Sequence, residues 1–142
     1  MARRNHGSQW TAQFLVASEL CRRGYTVAFT QGNHTPIYDL LVGTRSGTSF
    51  AIDVKGMASK GAWLVSDKRP QPNLFYILAM VPPGGAGRPP DQIFIMTQEE
   101  VRAANRRYVE EHPNQRDHGI SGFNWRDAVP HKDAWDKLPS AD

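Results

Sequence analysis

Cysteine is almost missing from this 142-residue chain. The single Cys21 excludes an internal disulfide framework and any zinc cluster built on several thiolates. Five histidines, at positions 6, 34, 112, 118 and 131, show no zinc-ligand spacing. No apolar run approaches membrane-spanning length, and Met1 to His6 lead into no signal-peptide core, so a reducing cytoplasm is the expected setting. Internal repeats, a Gly-rich phosphate loop and a nucleophilic-triad signature are also lacking. Neither sign of charge dominates. Seventeen Lys and Arg against 14 Asp and Glu leave a net +3, a mild basic excess compatible with nucleic acid. If that basic surface engages phosphates, binding should weaken with salt.

Two strand-like runs, 37–42 and 49–55, flank the turn-rich linker 43–48. A hairpin folded about Ser46 places Leu40 opposite Ile52, Val42 opposite Phe50 and Asp39 opposite Asp53. Directly opposed side chains sit roughly 5 Å apart at Cβ. Lys55, two residues beyond Asp53, shares that face. Tyr38, Leu40, Val42, Phe50, Ile52 and Val54 make the other face, which should be core. Two carboxylates held this close repel unless a cation lies between them or one takes up a proton. Hard cations such as Mg²⁺ bind one or two carboxylates together with water and phosphate oxygens. A lysine beside them can orient water or stabilise developing charge. This is the chemistry of phosphodiester hydrolysis. A structural Asp–Lys pair at a sheet margin has the same residues.

Upstream, Ser8 to Arg23 is predicted as an amphipathic helix, with Ser8 as N-cap and Gly24 as terminator. Trp10, Phe14, Ala17, Leu20 and Cys21 are its expected buried stripe, with Val16 at the margin. Gln13 falls inside that stripe, where an unpaired amide would be costly, so it needs a partner. Either a backbone group satisfies it, or it reaches the Asp39/Asp53/Lys55 cluster through a metal-bound water or the substrate. Glu19 points away, toward Arg22 and Arg23.

The order Ala12-Gln13-Phe14-Leu15-Val16, Glu19-Leu20, Arg23-Gly24-Tyr25, Gly32-Asn33, Tyr38 to Val42 and Ile52-Asp53-Val54-Lys55 resembles the PD-(D/E)xK nucleases. These restriction-endonuclease-like enzymes include Holliday-junction resolvases and small bacterial nuclease domains. The resemblance spans residues 8 to 55, more weakly to about 110. It implies that Asp39 and Asp53 bind Mg²⁺, with Mn²⁺ able to substitute, and that Lys55 assists the attacking water. Tyr38 stands where the motif has Pro, and Gln13 where the family helix has Glu. A neutral amide oxygen would hold a metal or its water less strongly than a carboxylate.

Beyond the hairpin, Asn33, His34, Lys60 and Lys68 are candidate nucleic-acid contacts, and loop 56–61 is expected to line a substrate groove. Trp63 is expected to pack. Strands are predicted at 25–30, 73–81 and 92–97, and Thr97-Gln98-Glu99-Glu100 reads as a capping box opening a helix to about Glu111. Val101, Ala104, Asn105 and Tyr108 form its inner face, with Arg102, Arg106 and Arg107 turned outward. Residues 112–142 form an extension anchored on the core by Trp125 and Trp135.

The expected architecture is one α/β domain, a mixed central sheet flanked by helices with a restriction-endonuclease-like core. The expected activity is a Mg²⁺-dependent DNA endonuclease, acting as a homodimer and in a defence, repair or mobile-element complex. The alternative is a silent member kept for DNA binding or assembly, or an interaction domain whose Asp–Lys pair is structural.

Overall fold

The hairpin forms in the expected register. Strand β2 (Leu40–Gly43) pairs antiparallel with β3 (Ser49–Met57), Leu40 against Ile52 and Val42 against Phe50. Gly47, at φ 90°, closes the turn in a conformation that side chains disfavour, and the Thr44 amide donates to the Thr48 carbonyl at 2.9 Å. This computed structural model describes residues 3–30, 38–114 and 121–142, with side chains in the first helix from Gly7 onward. Asn33 and His34 lie outside the described residues, as do the side chains of Arg3 and Arg4.

Among the described residues five strands form one mixed sheet in chain order, β1 (Thr26–Phe29), β2, β3, β4 (Leu74–Met80) and β5 (Gln92–Thr97). Only β3 and β4 run parallel; every other neighbouring pair is antiparallel. Period-two alternation sorts the side chains into two cores. Leu40, Val42, Phe50, Ile52, Val54, Ile77 and Ile95 face helix α1 (Arg3–Arg22). Leu74, Tyr76, Leu78, Phe94 and Met96 face helix α2 (Gln98–Glu111) together with Trp63 and Phe123. Tyr38 joins this second core rather than the first, because it precedes β2 and escapes its alternation.

Helix α1 corrects three expectations. It begins at Arg3, so Ser8 lies inside it and is no N-cap; Gly7 is carried within the helix. Gly24, at φ 94°, does terminate it. The buried face is also turned. Ala12, Val16, Ala17 and Leu20 are buried, whereas Trp10 is 54% and Phe14 59% exposed, and Cys21 is exposed. The cause is close approach. A Cβ built on Gly56 of β3 would lie 2.5 Å from the Ser8 carbonyl oxygen and 2.7 Å from Ala12 Cβ. A helix seated that near a strand can present only small or slender residues to it, so the large rings rotate away. Trp10 and Phe14 stack on each other outside, and Phe14 meets Phe29 of the edge strand β1.

Helix α2 follows its capping box as expected. Thr97 Oγ1 accepts from the Glu100 amide, and the Glu100 carboxylate accepts from the Thr97 amide. Val101, Ala104 and Asn105 are buried on its inner face. The outer arginines are partly paired, Arg102 with Asp67 and Arg107 with Asp127. The C-terminal residues pack back on the core. Trp125, opening the short helix α3 (Trp125–Ala128), stacks on Trp63 with ring centroids 5.8 Å apart. Trp135 packs against the first core beneath the Arg23 guanidinium. Lys137 donates to Glu100 at 2.8 Å and to His131 Nδ1, tying this segment to the start of α2. No helix among the described residues is long and apolar enough to cross a membrane.

Candidate active site at the start of the hairpin

The site arises where β2 begins. Strand β3 runs on past Ile52 to Met57, but the β2 ladder begins only at Leu40. The backbone groups of Val54 and Gly56 on that edge therefore need partners that no strand among the described residues supplies. Two side chains take the place of the missing strand. Asp39 Oδ2 accepts the Val54 amide at 2.7 Å. Gln9 of α1 then clamps the next stretch, its Nε2 donating to the Val54 carbonyl at 2.8 Å and its Oε1 accepting the Gly56 amide at 3.0 Å.

Asp39 is held from every side. Its amide donates to the Ile52 carbonyl, and its own carbonyl accepts from the Thr30 amide and hydroxyl. Gln13 Nε2 reaches its free carboxylate oxygen, Oδ1, at 3.4 Å. From the sequence Gln13 is expected to reach the cluster through a metal-bound water or the substrate; here its amide touches Asp39 directly. Burial pushes the Asp39 carboxyl above the usual carboxylate range. The Val54 hydrogen bond pulls the other way, the Asp53 charge adds to the rise, and Lys55 and Lys68 oppose it.

Asp53 is 2% exposed and lies on the α2 face of β3, opposite Tyr76 of β4. Its two oxygens hold two ammonium groups: Lys55 Nζ at 3.3 Å from Oδ1 and Lys68 Nζ at 2.5 Å from Oδ2. Beneath it the Tyr76 hydroxyl is pushed far up, first by burial and then by the charges of Asp53 and Asp67, so it stays protonated. Two aspartates and two lysines thus balance in charge. The repulsion expected of the carboxylate pair is relieved here by lysines. Asp39, Asp53, Lys55 and Gln13 come together from α1, the start of β2 and β3.

Lys68, a candidate nucleic-acid contact from the sequence, is also an ion-pair partner of Asp53, which the sequence did not indicate. It arrives on the long 58–73 connection between the two parallel strands. Buried Gln98, the first residue of α2 and 7% exposed, fixes that connection. Gln98 Nε2 donates to the carbonyls of Lys68 (3.3 Å) and Arg69 (2.9 Å), and its Oε1 accepts the Gln71 amide (2.8 Å). Gln9 was missed as well. Its signal was available: Gln9 and Gln13, four apart, put two amides on one helix face.

A groove of about 730 Å³ opens beside Lys55, lined by Gln9, Gly56, Met57, Lys60 and Trp63 among others. Loop 56–61 does border it, although Gly56 and Met57 belong to β3 and not to a loop. Exposed Lys60 lies along this groove with its ammonium 5.8 Å over the Trp125 ring. Trp63 is buried and stacked, which leaves no face for a nucleobase.

For a hard divalent cation the oxygens on offer are those of Asp39 and Asp53, with Gln13 Oε1 once its amide is reversed. Among the described residues no three His, Cys, Asp or Glu gather as an all-protein cage. Two carboxylates completed by water and phosphate are a usual Mg²⁺ arrangement, so this donor set fits such an ion. It fits on one condition: an ammonium must leave Asp53. No protein-family model, no curated protein and no solved structure matches the chain.

Proposed function

We propose that the protein is a divalent-metal-dependent DNA endonuclease that hydrolyses phosphodiester bonds on a restriction-endonuclease-like core. One observation carries the reading. Asp39, Asp53, Lys55 and Gln13 meet at one place, with Lys55 on a groove and the Asp53 charge adding to the rise that burial gives the Asp39 carboxyl. Asp39 and Asp53 would hold Mg²⁺ or Mn²⁺, which supplies a water of lowered pKa and neutralises charge on a phosphoryl oxygen. Lys55 orients that water or stabilises the charge that develops on phosphorus-bound oxygen. Gln13 supports Asp39 and, with its amide turned, offers an oxygen to the ion or its water. Lys60, along the groove, and Lys68, beside Asp53, contact DNA phosphates. Cutting both strands of a duplex calls for two such sites, so the proposal includes a homodimer, in a defence, repair or mobile-element setting.

The second reading is a silent domain that binds DNA or assembles with other chains. Gln13 favours it, because it directs an N–H, and no oxygen, at Asp39. Both readings meet one experiment. Wild type and Gln13→Glu are incubated with single-stranded, duplex and branched DNA in Mg²⁺ or Mn²⁺. The nuclease reading predicts metal-dependent cleavage of at least one form, about tenfold faster for Gln13→Glu, which corresponds to roughly 1.4 kcal/mol of barrier. DNA retarded in gels but left intact by both proteins would instead establish the silent domain.

A further inference from the structure

Lys68 stands out because its place is built. An exposed lysine on a long loop would ordinarily wander, at a cost in side-chain entropy that weakens any ion pair. Here the loop backbone is stapled to the N-terminus of α2 by three hydrogen bonds from one buried glutamine. The ammonium that results rests 2.5 Å from Asp53 Oδ2, and the carboxylate beneath it is almost wholly shielded from water. Gln98 therefore serves to deliver a positive charge to the oxygen a cation would need.

A divalent ion and an ammonium cannot share that oxygen. Like charges a few Å apart in a partly buried site repel strongly. With its backbone fixed, Lys68 can yield only by swinging its flexible four-carbon stem. The nearest unmet demand for positive charge would then be the phosphate that accompanies the ion. Resting on the reading of Asp39 and Asp53 as a cation pair, we propose that Lys68 is an exchangeable internal cation. It occupies Asp53 until a divalent ion arrives, then passes to the DNA phosphate, so that metal and DNA binding reinforce each other. Lys68 is thus a positioning residue for metal and substrate, distinct from Lys55, whose strand position keeps it beside Asp53 in either state.

Calorimetry of Mn²⁺ binding, together with DNA affinity in the presence and absence of Ca²⁺, tests this. The proteins are wild type, Lys68→Met and Lys68→Arg, with melting curves to verify folding. Lys68→Met should bind Mn²⁺ about tenfold more tightly, because its competitor is gone, while Ca²⁺ should no longer strengthen its hold on a short DNA duplex. Lys68→Arg should bind Mn²⁺ no more tightly than wild type, since a guanidinium pairs with a carboxylate at least as well. Mn²⁺ affinity unchanged or lowered in Lys68→Met overturns the exchange. So does tighter Mn²⁺ binding with metal–DNA coupling left as in wild type, because a merely structural ion pair would do the same. In both cases a wild type that binds Mn²⁺ and cleaves DNA leaves the nuclease reading standing. Absence of Mn²⁺ binding in all three proteins would remove both.

Discussion

Replacing Asp53 by asparagine is expected to reduce metal-dependent cleavage by about a thousandfold or more, on the scale seen when one key electrostatic group leaves an active site. The side chain keeps its volume in a position that is 2% exposed, so the sheet has no reason to rearrange. What goes is the anion. Asparagine can accept from one ammonium, but it cannot balance Lys55 and Lys68 together, nor supply a charged oxygen to a hard cation. Both lysine side chains retain partial solvent access, so stability should fall only modestly. Lys55→Met should lose a similar factor in rate for a different reason, keeping the two carboxylates and hence Mn²⁺ binding. Single-turnover cleavage and Mn²⁺ calorimetry on the two variants separate the roles. Equal, metal-independent background in wild type and both variants would contradict the assignment.

The second large effect concerns the fold that holds the site. Gly56→Ala places a methyl group 2.5 Å from the Ser8 carbonyl oxygen and 2.7 Å from Ala12 Cβ. The obstacle is helix backbone, which cannot rotate aside, so α1 must move off β3. Overpacking of this kind costs up to about 3 kcal/mol, or roughly 10 °C in Tm for a chain this size. The same displacement should pull Gln9 from the β3 backbone and Gln13 from Asp39, so metal affinity should fall even at temperatures where the protein remains folded. Gly43→Ala, with nothing within 4 Å, is the control and should change stability by less than about 1 kcal/mol. Thermal melts of the two variants that coincide would show that the tight α1–β3 contact is not what seats the helix.

That contact also explains what the sequence could and could not reveal. The hairpin register, the end of α1 at Gly24 and the Thr97/Glu100 cap were legible because each depends on local chemistry and strand periodicity. The register put Asp53 and Lys55 on one face, but Asp39 lies just before the ladder and turns to the Val54 amide and to Gln13 of α1, not squarely opposite Asp53. The buried face of α1 was misread because Trp10, Phe14 and Cys21 are the residues that hydrophobicity favours for burial. Their exclusion is decided by a glycine more than thirty positions away on another element. Lys68 was undervalued for a related reason. Its importance depends on where the 58–73 connection is pinned, and the pin is a buried glutamine at the start of α2. Gln9 matters only because β2 starts too late to pair with the last residues of β3. None of these relations has a signature within a short window of sequence.

The most direct test of the account is anomalous diffraction from crystals of the full chain grown with Mn²⁺. One strong peak shared by Asp39 and Asp53 is expected, with metal–oxygen distances of about 2.1 Å. Lys68 Nζ should then be withdrawn from Asp53 Oδ2. Mn²⁺ absent from this position at saturating concentration, with both lysines still on Asp53, would contradict it.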